Sequence, residues 1–102
     1  MDRFTIITAR RVDSQLRRHA AFLANVSIRA AKQFRNDFSE ILDQLEVNPY
    51  QFPIDSDPAL PQDTYRKALF SKWYKVLFAI ENNTVYLDAV VDCRQDPNTI
   101  LM

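Results

Sequence analysis

Residues 72–97 read KWYKVLFAIENNTVYLDAVVDCRQDP. Two apolar runs meet at Asn82-Asn83, and each of them alternates. In the first, Tyr74, Val76, Phe78 and Ile80 share one face, with Lys75, Leu77 and Ala79 on the other. In the second, over Thr84 to Cys93, the pattern places Val85, Leu87, Ala89, Val91 and Cys93 inward and Tyr86, Asp88 and Asp92 opposite. The chain contains no glycine. Asparagine tolerates positive φ better than most residues with a Cβ, so Asn82-Asn83 fits a two-residue type I′ turn. The stretch is a β-hairpin. Ser71-Lys72-Trp73 makes another tight reversal ahead of it, and Thr64 to Phe70 supplies a third, less regular strand.

The N-terminal half has a different period. Phe4-Thr-Ile-Ile7 is short, apolar and β-branched, which predicts a first strand. Thr8 is then placed to cap a helix whose apolar stripe is Val12, Leu16, Ala20 and Leu23, with Arg10, Arg11, Arg17 and Arg18 mostly off it. Asn25 suits a left-handed helix end, and Ser27 suits the N-cap of a second helix. That helix carries Ile28, Ala31, Phe34, Phe38, Ile41, Leu42 and Leu45 at spacings of three and four, and Asn48-Pro49 ends it. The short turn predicts an antiparallel helical hairpin. Residues 48–64, NPYQFPIDSDPALPQDT, hold four of the five prolines and read as a surface connection.

The order is therefore β-α-α-β-β-β. It implies an α+β, two-layer domain over residues 1–102, a helical hairpin packed on a mainly antiparallel four-stranded sheet, with the other sheet face open to a partner or ligand.

At 102 residues, 47% hydrophobic and 25% charged, the chain has the balance of one soluble domain. No apolar run approaches the roughly 20 residues of a membrane span, and the four apolar residues Phe4 to Ile7 are too few for a signal peptide. A cytoplasmic protein with no membrane association is expected. One cysteine permits no internal disulfide, and no Cys/His spacing suggests a metal, so no cofactor is expected. Net charge is zero but unevenly spread. Residues 1–37 carry eight bases and three acids, residues 38–64 six acids and no base, and residues 65–102 five bases and four acids. A basic N-terminal part without a basic total argues against tight, non-specific nucleic-acid binding.

The helix pair ending FSEILDQLEVNP, then LPQDTYRKALF, then KWYKVLFAIENNTVYLDAVVDCRQD, resembles in order and spacing the RelE/ParE superfamily of toxins from bacterial type II toxin–antitoxin systems. The resemblance spans nearly the whole chain. It implies a toxin held inactive by a cognate antitoxin protein. In the RelE branch such a toxin is a ribosome-dependent endoribonuclease, an mRNA interferase. In the ParE branch it is a non-enzymatic inhibitor of DNA gyrase, and a degenerate member would only bind its antitoxin. Strand-to-strand matching with the RelE branch implies Arg66, Lys75 and Arg94 as the catalytic positions. Lys75 stands where the family usually has arginine, Ala68 where a second lysine is common, and Ile100-Leu101 where that branch carries a tyrosine.

The chemistry implied asks for a base at the 2′-hydroxyl, a proton for the leaving 5′-oxygen and positive charge on the phosphorane. Arg66, Lys75 and Arg94 offer the charge, while Tyr65, Tyr74 and Tyr86 are the candidates for proton transfer, each needing a large downward shift from about 10 to act as a base. Plainer roles compete. Strand-face lysines and arginines often only solvate or protect an edge, and Arg94 lies between two potential ion-pair partners, Asp92 and Asp96. His19 reads as a partly buried or surface residue distant from the sheet, Cys93 as a small core residue, and Trp73 equally as a core plug or a partner anchor.

Overall fold

The computed structural model describes residues 3–94. Strand β1 (Thr5–Thr8) leads into helix α1 (Arg10–Val26) and helix α2 (Ile28–Val47), followed by a single 3₁₀ turn (Pro49–Gln51) and strands β2 (Arg66–Phe70), β3 (Tyr74–Glu81) and β4 (Thr84–Asp92). The sheet order is β1-β4-β3-β2, with β1 parallel to β4 and the other pairs antiparallel. Two helices thus lie on a four-stranded mixed sheet, the α+β arrangement read from the sequence.

The helix ends depart from expectation in an economical way. Thr8 does not cap α1; it is the last residue of β1, and Ala9 precedes the helix without a side-chain cap. Asn25 stays helical, because the reversal is made by Ser27 alone, whose backbone is extended (φ −163°, ψ 122°). The Ser27 N–H closes α1 on Leu23 O at 2.7 Å, and its Oγ accepts from Ala30 N at 3.2 Å to cap α2. One residue in the β region does both jobs, so no left-handed residue is needed. The stripe of α2 buries Phe34, Phe38, Ile41 and Leu45. Ile28, expected to lead that stripe, is 68% exposed at the tip of the helical hairpin.

On the sheet, Tyr74, Val76 and Phe78 face the helices as their alternation predicts. Strand β4 does not keep its expected alternation. The register passes from Leu77↔Ala89 to Phe78↔Leu87, so Asp88 is an extra residue, a β-bulge. Beyond the bulge the faces exchange. Val90 joins Val85 and Leu87 under the helices, while Ala89 and Val91 turn to the far face. The β3–β4 turn also differs from type I′, which needs positive φ at both central residues. Only Asn82 has one (56°). Two consecutive left-handed residues occur instead in the β2–β3 turn, Ser71 (50°) and Lys72 (67°).

The far face is not open throughout, as expected, but half covered. Residues 52–65 fold over it: Leu60 packs on Leu77, Ala89 and Val91, with Tyr65 alongside. Asp55 N donates to Tyr65 O and Lys67 N to Pro53 O, so the covering segment also closes the β2 edge. Ile7 and Tyr86, register partners on the uncovered part, stay exposed.

The other edge is closed by a helix. Strand β1 pairs with β4 only as far as Thr8↔Leu87, and α1 takes over from there. Arg11 Nε donates to Asp88 O (2.6 Å), Gln15 Oε1 accepts from Val90 N (2.8 Å), and His19 Nε2 meets Val90 O (3.1 Å). Spacing of four puts these three side chains in one row on the helix, where they satisfy β4 backbone groups that β1 leaves behind. His19 therefore lies on the sheet rather than away from it.

Candidate functional site

The three basic residues singled out in the sequence occupy three separate environments. Lys75 is buried, 8% exposed, and its Nζ bonds Asp55 Oδ2 beneath the covering segment. Burial works to raise the Asp55 carboxyl, but the Lys75 hydrogen bond, the Asp57 N–H and the charges of Lys75 and Lys67 outweigh it, so the group is held below the ordinary carboxylate range. Arg66 lies on the helix-facing side of β2, opposite Phe78. Its Nη1 donates to Phe52 O (2.6 Å), and its guanidinium sits 5.3 Å from the Tyr50 ring centre. Arg94 follows β4 at the opposite corner. The Phe78↔Arg66 rung and the Tyr74↔Asp92 rung, two residues before Arg94, stand four residues apart on β3, about 13 Å along the strand. The structure brings no two of these cations together.

Arg94 does have company. Its Nη2 and Nε reach Asp92 at 2.8 and 3.0 Å, its backbone N–H donates to the same carboxylate, and its guanidinium lies 5.2 Å from the centre of the Trp73 ring. The Arg94 hydrogen bond holds the Asp92 carboxyl below its ordinary range despite partial burial. Of the two acids flanking Arg94, Asp96 lies outside the described residues. Beside the pair a pocket of about 200 Å³ is lined by Arg18, His19, Phe22, Tyr74, Asp92 and Arg94. Tyr74 is 1% exposed, its ring 5.0 Å from that of His19 and 4.7 Å from that of Phe34. Its hydroxyl, near both Arg94 and Asp92, has no hydrogen-bond partner of good geometry among the described residues. Burial pushes that phenol up and the Asp92 charge adds to it, with Arg94 opposing.

Sequence reading did not assemble this cluster because two of its members were misplaced. Strict alternation puts Asp92 on the face opposite the core, which the bulge reverses, and the helical pattern puts His19 away from the sheet that it in fact meets. A signal was present: an acid in the middle of a strand, Asp88 in TVYLDAVVD, is a residue that a bulge accommodates by leaving it unpaired.

The remaining proton-transfer candidates are no better placed for base chemistry. Tyr65 is raised first by its hydrogen bond to Asp88 and then by burial, Arg11 opposing. Arg11 Nη2 holds the other side of that carboxylate at 2.6 Å. Tyr86 is 40% exposed. Cys93, expected in the core, is exposed because β4 ends at Asp92 and the chain turns outward. Partial desolvation, with the charges of Asp92 and Asp55, outweighs Lys75 and Lys67 and pushes its thiol up, away from a reactive thiolate. Trp73, at 49% exposure, is not a core plug. Among the described residues no group of three metal-ligating side chains converges, and no helix is long and apolar enough to cross a membrane.

No model of a known protein family matches the chain, and no curated protein sequence matches it.

Proposed function

We propose that the chain is the toxin of a type II toxin–antitoxin pair, of RelE/ParE type, and that it acts on its target by contact rather than by cutting RNA. The sequence resemblance supports the family, and two helices on a four-stranded mixed sheet are compatible with it. One observation favours contact over cleavage: Lys75 is buried and committed to Asp55, while Arg66 and Arg94 stand at distant corners. A phosphorane needs its cations within a few ångströms of one another, and these three side chains do not converge. The reading takes DNA gyrase as the target and a cognate antitoxin protein as the neutralising partner.

Inducing the chain in a bacterial host tests this. Growth arrest with accumulated gyrase–DNA cleavage complexes and unchanged messenger RNA 5′ ends is expected. New 5′ ends in primer extension, with no cleavage complexes, would return the reading to a ribosome-dependent endoribonuclease. Growth unaffected by induction would remove the toxin assignment.

A further inference from the structure

Arg18, Tyr74 and Arg94 converge on a pocket that the contact reading does not use. We infer that this pocket is a binding site for a phosphate monoester. The inference does not rest on the toxin assignment.

Three observations carry it. The first is the charge balance. Arg18 and Arg94 both line the pocket against a single acid, Asp92. Asp92 is already engaged through both oxygens, by Nε and Nη2 of Arg94. Arg18, which also lines the pocket, makes no hydrogen bond or ion pair among the described residues, so Asp92 is the one acid set against two arginines there. The second is the Tyr74 hydroxyl. Its oxygen has almost no accessible surface and lies beside the Arg94 guanidinium without good hydrogen-bond geometry, so an oxyanion that draws Arg94 aside also offers this hydroxyl an acceptor. The third is shape. The polar lining comes from three elements, α1, the start of β3 and the end of β4, an arrangement that suits a tetrahedral group with three terminal oxygens better than a planar carboxylate. Space remains beside Phe22, 58% exposed, for an apolar or aromatic group esterified to the phosphate. His19 lines the same pocket, but its Nε2 carries a hydrogen toward Val90 O, since a carbonyl only accepts. Its role there is to hold the wall in place.

Trp73, the single tryptophan, lies under Arg94 and reports on the site directly. The full chain is titrated at constant ionic strength with inorganic phosphate, adenosine monophosphate, adenosine and a trinucleotide lacking terminal phosphates, following Trp73 emission. Saturable changes are expected with phosphate and, several-fold tighter, with adenosine monophosphate. Equal affinity for the two would confine the site to the free ion and overturn the monoester assignment. Binding of the trinucleotide or of adenosine alone would overturn it as well, in favour of a nucleic-acid strand or a nucleobase pocket. So would the absence of any saturable change.

Substitutions are read by calorimetry, since Arg94 variants alter the tryptophan signal themselves. Tyr74→Phe is expected to weaken binding roughly tenfold, the size of one hydrogen bond to a charged group, with the melting temperature unchanged or raised. Arg18→Gln is expected to weaken it by a similar factor without affecting stability. Asp92→Asn, which removes the competing negative charge and keeps one of the two acceptor oxygens for Arg94, is expected to tighten it. Wild-type affinity in both Tyr74→Phe and Arg18→Gln would sink the proposal.

Discussion

Two aspartate–cation pairs flank the same sheet, and they differ in almost every respect but chemistry. Asp55–Lys75 sits on the far face, its side chains 3% and 10% exposed, sealed by the proline-rich segment. Asp92–Arg94 sits on the helix side at the end of β4, its arginine 47% exposed and lying over a half-exposed tryptophan. A sealed pair has nowhere to send its charge except to its partner; its contribution is to the shape of the protein. An open pair beside a pocket can exchange its partner for a ligand. The position that family resemblance marks for catalysis, Lys75, is on the sealed side.

The largest expected effect falls on that side. Lys75→Ala leaves the Asp55 carboxylate buried without its cation and is expected to cost about 3–5 kcal/mol in chemical denaturation. Replacing both partners together, Lys75→Met with Asp55→Leu, is expected to recover most of that loss. A Lys75→Ala cost below about 1 kcal/mol would erase the distinction between the pairs.

Acid sharpens the contrast further. The folded-state Asp55 carboxyl is held below its unfolded value, so its contribution is present above about pH 4 and is lost as pH falls through the folded value. Without Lys75 burial is opposed only by the Asp57 N–H and the Lys67 charge, so the carboxyl rises and protonation costs the variant less than it costs the wild type. The stability gap between wild type and Lys75→Ala is therefore expected to narrow as pH is lowered from 6 toward 3, measured by urea midpoints.

Smaller changes belong to the open side. Lys72→Gly relieves one of two consecutive positive-φ residues beside Trp73, and is expected to stabilise by about 1 kcal/mol in thermal unfolding. Arg94→Ala is expected to destabilise less than Lys75→Ala, because water reaches the Arg94 end of the pair even though the Asp92 side chain is only 11% exposed, while abolishing the phosphate response. A cost comparable to that of Lys75→Ala would make both pairs structural.

Much of this architecture could be read from residue patterns, and the failures have physical causes. Period and turn chemistry located both helices, the Ser27 cap and the four strands because each rests on local interactions. What escaped was non-local. The bulge at Asp88 comes from β3 and β4 accommodating one another across the sheet, and it alone transfers Val90 and Asp92 to the helix side. Coverage of Lys75 depends on where Leu60 and Asp55 land after a proline-rich excursion, which no periodicity encodes. The pocket beside Arg94 depends on both the bulge and the docking of α1. Tyr74 and Arg94 were visible as candidates, while Arg18, His19 and Asp92 were visible only as members of other elements.

The row Arg11, Gln15 and His19 along the β4 edge has a consequence for how the chain folds. Its contacts span 77, 75 and 71 residues of sequence. A ribosome delivers α1 long before the strand that it must border, so that edge can close only after β4 has been made. Until then the three polar side chains and the hydrogen-bonding groups of Asp88 and Val90 bond only to water. Closure of this edge is a late step of high loop-closure cost, and substitutions at these three positions of α1 that leave the helix intact are expected to speed unfolding more than they slow folding.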